Sequence, residues 1–271
     1  MRSPRLSSVV ERRLLVNYRV DPGVAARLLP APLRPQLVDG WAVAGICLIR
    51  LARVRPAGVP GGFGLRSENA AHRIAVEWDG TGGRQTGVYI PRRDSSSVIN
   101  VLVGGRLFPG EHHRASFDIR ESPRDLHVAF ASADGTARAS VDVRVAGRLA
   151  GSVLFADVRQ ASDFFQGGSA GFSPARGIRR LDGVQLRTAR WAVEPVEARA
   201  VSSSFFDDPG RFPPGSAVFD CALLMRDIPA TWSALPPIRD VTARAGAAPA
   251  PNVPRASGGP GSPRPAGASP R

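Results

Sequence analysis

Apolar and polar residues alternate again and again along the first 240 residues of this chain. Because successive side chains of a β-strand point to opposite faces, such alternation predicts strands that have one face on a core. The clearest runs are Ile74-Val76-Trp78, Phe117-Ile119 and Val141-Val143-Val145. Asp-Gly pairs, which favour hairpin turns, occur at 39–40, 79–80, 134–135 and 182–183. The pattern predicts a mainly β protein, an antiparallel barrel or sandwich.

Three short segments favour helix instead. Asp21 is a good N-cap in front of Pro22, and VAARLL then continues to Pro30. The segments ASDFF at 161–165 and IPATWSAL at 228–235 are predicted to form two further short helical elements. The helices are therefore few and short beside the strands.

The composition changes near Asp240. Residues 241–271 contain no aromatic and no acidic residue and are dense in Pro, Gly, Ala and Ser, so they cannot bury enough apolar surface to fold. We expect one β domain over residues 1–240, followed by a disordered, weakly basic tail over residues 241–271. An inert terminus and a loose tether to acidic partners both fit such a tail.

The basic residues are unusual because the chain contains no lysine. The formal net charge is +13, and all 36 basic residues are arginines, spread along the chain among the acidic residues. Chemistry that proceeds through a lysine Schiff base is therefore excluded. Nucleic acid is not the expected partner, because no helix-turn-helix, RNP or zinc-finger motif accompanies the charge.

Neither cysteine chemistry nor a membrane is indicated by the remaining residues. Cys47 and Cys221 are too few for a disulfide framework, lack zinc-site spacing, and are predicted to be small buried hydrophobic residues. The most apolar segment, WAVAGICLI, ends at Arg50 and is too short to cross a bilayer. We expect a cytoplasmic protein without a metal, a cofactor or a membrane anchor, and a homo-oligomer stays open.

Titratable residues gather in four segments that are richer in glycine and aromatic residues than strands require. SENAAHRIAV, GVYIPRRD and GGRLFPGEHHRA supply the candidate ligand-binding residues. These are Glu68, His72, Arg73, Tyr89, Arg106, His112 and His113. The fourth segment, ASDFFQGGSAGFSPA, lacks the phosphate-loop and dinucleotide-binding patterns, and its glycines suit close backbone packing or a lid.

Each candidate also has a structural interpretation. In this interpretation, Glu68 forms an ordinary ion pair with an arginine at a strand end, and Tyr89 is a core residue. His112 and His113 diverge on a strand, which disfavours a metal site. Arg92 and Arg93 are adjacent, so only one of them faces inward and a double-arginine clamp is not implied.

Seven ordered segments of the chain resemble the YqjF-like bacterial domain family of the acetoacetate decarboxylase-like superfamily, over most of residues 8–235. They are LLPAPLRPQLVDGWAVAGICLIRL, SENAAHRIAVEW, GVYIPRRD, GRLFPGEHHRA, SDFFQGGSAGFSP, LDGVQLRTARW and GSAVFDCALLMRDIPATW. The resemblance implies a closed or cone-shaped antiparallel β-barrel that encloses a small-molecule cavity.

The same resemblance locates a missing residue. In the founding enzyme of the superfamily, a lysine after a Phe-Pro step forms a Schiff base with a β-keto acid. This chain has Phe108-Pro109-Gly110, so glycine stands where the lysine is expected, and Glu68 matches a strand glutamate of the superfamily. Arginine does not replace the nucleophile, because its guanidinium stays protonated.

Three functions remain open from the sequence. The first is a small-molecule-binding barrel for an acidic or carbonyl-bearing metabolite. The second is a non-covalent enzyme, an isomerase, hydratase or cyclase, in which Glu68 and a histidine act as acid and base on a β-oxo substrate. The third is an arginine-rich binder of nucleic acid or acidic surfaces.

Overall fold

The computed structural model describes residues 5–59, 64–80, 82–98, 109–175 and 179–239. Strands dominate these residues, which confirms the mainly β prediction. The strands are β1 (Arg5–Val20), β2 (Arg34–Pro35), β3 (Leu37–Val38), β4 (Trp41–Pro56), β5 (Leu65–Gly80), β6 (Gly83–Ser95), β7 (His112–Glu121), β8 (Asp125–Ser132), β9 (Arg138–Val145), β10 (Ala170–Pro174), β11 (Arg180–Thr188), β12 (Glu194–Ser203) and β13 (Ala217–Arg239). The helices are α1 (Pro22–Arg27) and α2 (Val158–Gly167). The predicted tail, residues 241–271, lies outside the described residues.

The strands form one large sheet whose hydrogen bonding returns on itself. Five strands, in the order β13-β1-β4-β5-β6, form a continuous central layer that we call the shared strands. Beyond β6 the ladder continues to β7, β8, β9 and β12 and reaches β13 again, and a shorter path through β10 and β11 also joins β6 to β13. The shared strands are thus closed into rings along two paths.

Two ladders correct the expectation of an antiparallel barrel. The β6 strand runs parallel to β10 at Val88 and Tyr89 and parallel to β7 at 93–95. Residues 96–111 separate β6 from β7, and residues between β6 and β10 form three more strands, so no tight hairpin forces these neighbours to be antiparallel. The fold is a mixed sheet with ring-like hydrogen bonding.

The shared strands carry a separate hydrophobic cluster on each face. One face, which we call the aromatic face, carries Leu14, Tyr18, His72 and Ile74 and packs against the core residues of β7, β8, β9 and β12. The opposite face, which we call the arginine face, carries Leu15, Cys47, Arg73 and Arg93 and packs under Phe155 and helix α2. Period-two alternation produces this division, since neighbouring residues such as His72 and Arg73 face opposite ways.

Two of the three predicted helices are present. The Asp21 carboxylate accepts a hydrogen bond from the Val24 amide at 2.9 Å and caps α1, and α2 includes 161–165. The prediction for 228–235 is wrong, because these residues belong to β13. They pair with β1 on one side and with β11 on the other, so ladder bonds on both edges outweigh local helix propensity.

The predicted turn at 182–183 is also wrong, because both residues lie within β11. A Cβ atom on Gly183 would lie 2.6 Å from Cε1 of Phe172, so glycine is required here for packing. By contrast, Asp39-Gly40 does form a turn between β3 and β4, and both residues have positive φ angles.

In the part of the chain that the structure describes, neither helix has the length and apolar character that crossing a membrane requires.

Candidate functional site

Two cross-strand rows bring the polar residues of the arginine face together. In one row Asn17, Gly45 and Arg73 are paired across β1, β4 and β5. In the next row Leu15, Cys47, Ala71 and Arg93 are paired from β1 to β6. Arg73 and Arg93 are therefore diagonal neighbours on adjacent strands, with Cα atoms roughly 7–8 Å apart.

Arg73 is a buried cation. Its side chain is 3% exposed, its Nη2 donates to Oδ1 of Asn17, and its Cζ lies 4.8 Å from the centroid of the Phe165 ring on α2. The Nε group is buried without a hydrogen-bond partner among the described residues. Burial lowers the pKa of Arg73 to about 10, which still leaves the guanidinium charged at neutral pH.

Arg93 is partly exposed as a residue, but like Arg73 it has buried N–H groups that lack an acceptor. Its Nε and Nη2 atoms are buried without a hydrogen-bond acceptor in the described ranges, and burial lowers its pKa to about 10. Neither arginine forms an ion pair with any carboxylate that the structure describes. Two cations whose N–H groups are buried without a counter-ion are costly, and an anion bound between them would offset that cost.

Ser173 and Gly110 border Arg93. Ser173 is fully buried, and its Oγ has no hydrogen-bond partner within the described residues. Gly110 has a φ of +99°, and a Cβ atom there would lie 2.7 Å from the Ser173 Cβ and 3.6 Å from the Arg93 Nε. Residue 110 thus faces the arginine face, but a side chain at this position would collide with Ser173 and strain the backbone. The position matched to the superfamily lysine is therefore closed to a side chain in this protein.

Glu68 belongs to an ion-pair network and not to the arginine face. Its carboxylate accepts hydrogen bonds from Arg12, which is 1% exposed, and from Arg50. Glu121 lies 3.1 Å from Arg50 and 3.5 Å from Arg12. Arg12 and Arg50 hold Glu68 at the end of β5, as in the structural interpretation of this residue.

His72 lies on the aromatic face. Its ring stacks on Phe205 at a centroid distance of 4.4 Å, it is fully buried, and neither ring nitrogen has a partner among the described residues. Burial, reinforced by Arg92 and Arg211, lowers the pKa of His72 to about 3, so it is neutral near pH 7. His72 and Glu68 are four residues apart on β5, roughly 13 Å along the strand, so they do not form a joint acid–base pair.

The other candidates are dispersed. Tyr89 is 8% exposed on the aromatic face, where burial raises its pKa to about 12. The Nδ1 atom of His113 lies 2.8 Å from Oδ2 of Asp134, a carboxylate that also binds Arg92. His112 is the ladder partner of Arg93 on β7, at the edge of the arginine face. Arg106 lies outside the described residues.

Two open clefts lie elsewhere in the described residues. One of about 530 Å³ is lined by β7, β8, β9, the end of β12 and the residues that follow it, including Ser116, Ser140 and Ser202. A second of about 330 Å³ is lined by β7, β8 and β9 around His127 and Asp142. None of the candidate residues that the structure describes lines either cleft.

A model of a family of uncharacterized conserved proteins, DUF2071, matches residues 9–220, most of the described sheet. The chain belongs to the DUF2071 family. This match, together with the fold, confirms the resemblance that the seven segments indicated. No curated protein matches the chain.

Solved structures similar to this DUF2071 protein share the acetoacetate decarboxylase-like fold. The enduracididine biosynthesis enzyme MppR, complexed with pyruvate, is 13% identical with a TM-score of 0.51, over 89% of this chain and 90% of that one. An acetoacetate decarboxylase-like enzyme from Sphingomonas wittichii is 16% identical with a TM-score of 0.51, over 89% and 92%. Acetoacetate decarboxylase from Legionella pneumophila is 10% identical with a TM-score of 0.50, over 88% and 87%.

Sequence reasoning overlooked several residues of the arginine face in this DUF2071 protein. It identified Arg73 but not Arg93, Ser173 or Cys47. The alternation rule correctly separates Arg92 from Arg93, since Arg92 binds Asp94 and Asp134 while Arg93 faces the other way. The rule does not show that Arg93 lies beside Arg73. The two residues are on neighbouring strands, and only the register between β5 and β6 brings them together.

Proposed function

We propose that this protein binds a small carboxylate-bearing metabolite of the oxo-acid class, held between Arg73 and Arg93 without a covalent imine. The observation that carries the proposal is a pair of guanidinium groups whose buried N–H donors are unsatisfied and which have no carboxylate partner among the described residues. Buried charges in proteins are normally paired, and these two are not paired within the described chain.

The chemistry of the arginine face suits a carboxylate. A guanidinium presents its donors in a planar fork that matches the two oxygens of a carboxylate, and such charge-assisted bonds are about twice as strong as neutral ones. The Ser173 hydroxyl adds a neutral donor beside Arg93. The Phe165 ring next to Arg73 offers an apolar wall for a short carbon chain.

The structural neighbours support the oxo-acid class. MppR was solved complexed with pyruvate, and two other neighbours are named as an acetoacetate decarboxylase or a like enzyme. With no lysine in the chain and glycine at position 110, the protein would keep the recognition of an oxo acid without the imine.

Binding measurements with matched ligands and variants test the proposal. We expect pyruvate or acetoacetate to raise the melting temperature of the wild-type protein, and isothermal titration to give a measurable affinity. Methyl pyruvate, which lacks the charge, should have a much smaller effect. Arg93→Met should weaken binding about 10–100-fold, because it removes a charge-assisted hydrogen bond. Arg73→Met should act in the same direction.

Arg84→Met is the matched control, because Arg84 is 69% exposed on β6 and its loss removes the same charge far from the arginine face. Its affinity for the oxo acid should equal that of the wild type. Equal affinities of Arg93→Met and Arg84→Met would show that the ligand does not bind at the arginine face.

A further inference from the structure

Cys47 lies on the same face as the two arginines, in the cross-strand row of Arg93 and diagonal to Arg73, and the residues between it and them are small. In its cross-strand row, Ala71 alone separates Cys47 from Arg93, and Gly45, the ladder partner of Arg73, has no side chain. A carboxylate held by Arg73 and Arg93 would therefore place its adjacent atoms on the same face as the Cys47 sulfur.

The sulfur of Cys47 is in an electropositive environment. The Nε group of Arg13 donates to it at 3.4 Å, and the charges of both Arg73 and Arg93 interact with it. Arg13 forms no ion pair in the described residues, so no carboxylate competes for these cations there. Reactive cysteines in proteins are found next to arginine, lysine or protonated histidine, because the cation stabilises negative charge on sulfur.

Cys221, the other cysteine, provides an internal contrast. Burial and the neighbouring Asp220 raise the pKa of Cys221 to about 12, so this thiol stays protonated. Both cysteines are buried on the arginine face, and the charge of Arg73 interacts with both, but Asp220 adjoins Cys221 whereas Arg13 and Arg93 act on Cys47. The two thiols should therefore differ in reactivity within one molecule.

We propose that Cys47 is a nucleophile that adds reversibly to the carbonyl carbon of the bound 2-oxo acid. This inference rests on the proposed function, since Arg73 and Arg93 hold the carboxylate. The sulfur forms a bond to the carbonyl carbon, the π electrons of the C=O bond move to oxygen, and the thiol proton passes to that oxygen. The product is a thiohemiketal, which requires no further reactant and breaks down by the reverse path.

Alkylation of the wild-type protein tests the environment of Cys47 without any variant. Iodoacetate carries a carboxylate and iodoacetamide does not, and in both reactions sulfur displaces iodide. Mass spectrometry of the digested protein should show Cys47 reacting about 10-fold faster with iodoacetate than with iodoacetamide, because the arginines concentrate the anion. Arg93→Met should abolish this preference, and Cys221 should not show it. A preference for iodoacetamide at Cys47 in the wild-type protein would overturn the proposal.

The adduct itself is tested with pyruvate labelled with ¹³C at the carbonyl carbon. We expect a resonance of a tetrahedral carbon, distinct from that of pyruvate hydrate, in the presence of wild-type protein, and no such additional resonance with Cys47→Ser or Cys47→Ala. If pyruvate binds through Arg93 but no such resonance forms, the nucleophile is refuted and the proposed function stands. If pyruvate and related oxo acids do not bind at all, both proposals fail.

Discussion

The two faces of the shared strands treat buried charge in opposite ways. On the aromatic face, Arg12 is neutralised by Glu68, and Arg92 by Asp94. Arg73 and Arg93 directly follow His72 and Arg92 in the sequence and therefore lie on the arginine face. Neither forms an ion pair with a carboxylate among the described residues. The same strands therefore supply a face whose buried arginines are paired within the fold and a face on which Arg19 is paired with Asp220 but Arg73 and Arg93 have no carboxylate partner in the described chain. Pairing therefore distinguishes these charges more clearly than burial does, since both faces bury arginine N–H groups.

The largest effect should come from breaking the balance on the aromatic face. Glu68→Gln removes the closer of the two carboxylates that neutralise Arg12, which is 1% exposed, and leaves only Glu121 at 3.5 Å. We therefore expect a loss in the free energy of unfolding at the lower end of about 3–5 kcal/mol. Urea unfolding followed by circular dichroism measures the loss.

Glu11→Gln is the control for this change. Glu11 pairs with Arg66, which is 63% exposed, so the expected loss is below about 1 kcal/mol. Equal losses for the two variants would mean that the Glu68 network stabilises the fold no more than a surface ion pair does.

A second difference should appear when the pH is lowered. The pKa of His72 is about 3 in the folded protein and 6.5 ordinarily, so between these values the unfolded chain binds a proton that the folded chain does not. Stability then falls as the pH falls, by roughly 2 kcal/mol between pH 7 and pH 5. Arg92 and Arg211 near His72 act in the same direction, since both disfavour the charged ring.

The contribution of His72 is isolated with His72→Leu, which keeps an apolar side chain in the aromatic cluster and removes the titration. The stability of the wild-type protein minus that of the variant should decrease as the pH falls from 7 to 5. A difference that does not change with pH would show that His72 protonates as readily in the folded state as in the unfolded chain.

The sequence predicts the strands well because alternation is a local signal. Val141 and Val143 face the core as their spacing indicates, and Asp21 caps α1 as its neighbour Pro22 suggests. The segment 228–235 was assigned to a helix because its two long-range partners, β1 and β11, are invisible in a local window. The parallel pairing of β6 with β7 and β10 likewise depends on how the sheet closes, and the local sequences of these three strands do not indicate it.

The candidate site shows the same limit at the level of single residues. Arg73 was identified from its titratable neighbours, but those neighbours, Glu68 and His72, lie on the other face. Cys47 was correctly predicted to be buried, yet the arginines around it come from β1, β5 and β6. Assembling that set requires the register of four strands, which composition and spacing do not contain.

Of these substitutions, Arg93→Met should give the smallest change in the free energy of unfolding. Whether that change is an increase or a decrease is the sharpest test of the contrast between the two faces. Burial lowers the pKa of Arg93 below its ordinary value, which means that folding disfavours the charged form. Replacing that charge by an apolar side chain of similar length should therefore raise the free energy of unfolding, by about 1–2 kcal/mol, in the absence of ligand.

Arg92→Met, one residue away, should do the opposite, because Asp94 is 1% exposed and would lose the guanidinium that lies 2.8 Å from it. The two substitutions would then change the free energy of unfolding in opposite directions. Arg92 would stabilise the fold, whereas Arg93 would stabilise only the complex of the protein with an anion. Urea unfolding of both variants, with and without pyruvate, measures this directly. If Arg93→Met were as destabilising as Arg92→Met, the charge of Arg93 would be balanced within the fold, and the contrast between the two faces would not hold.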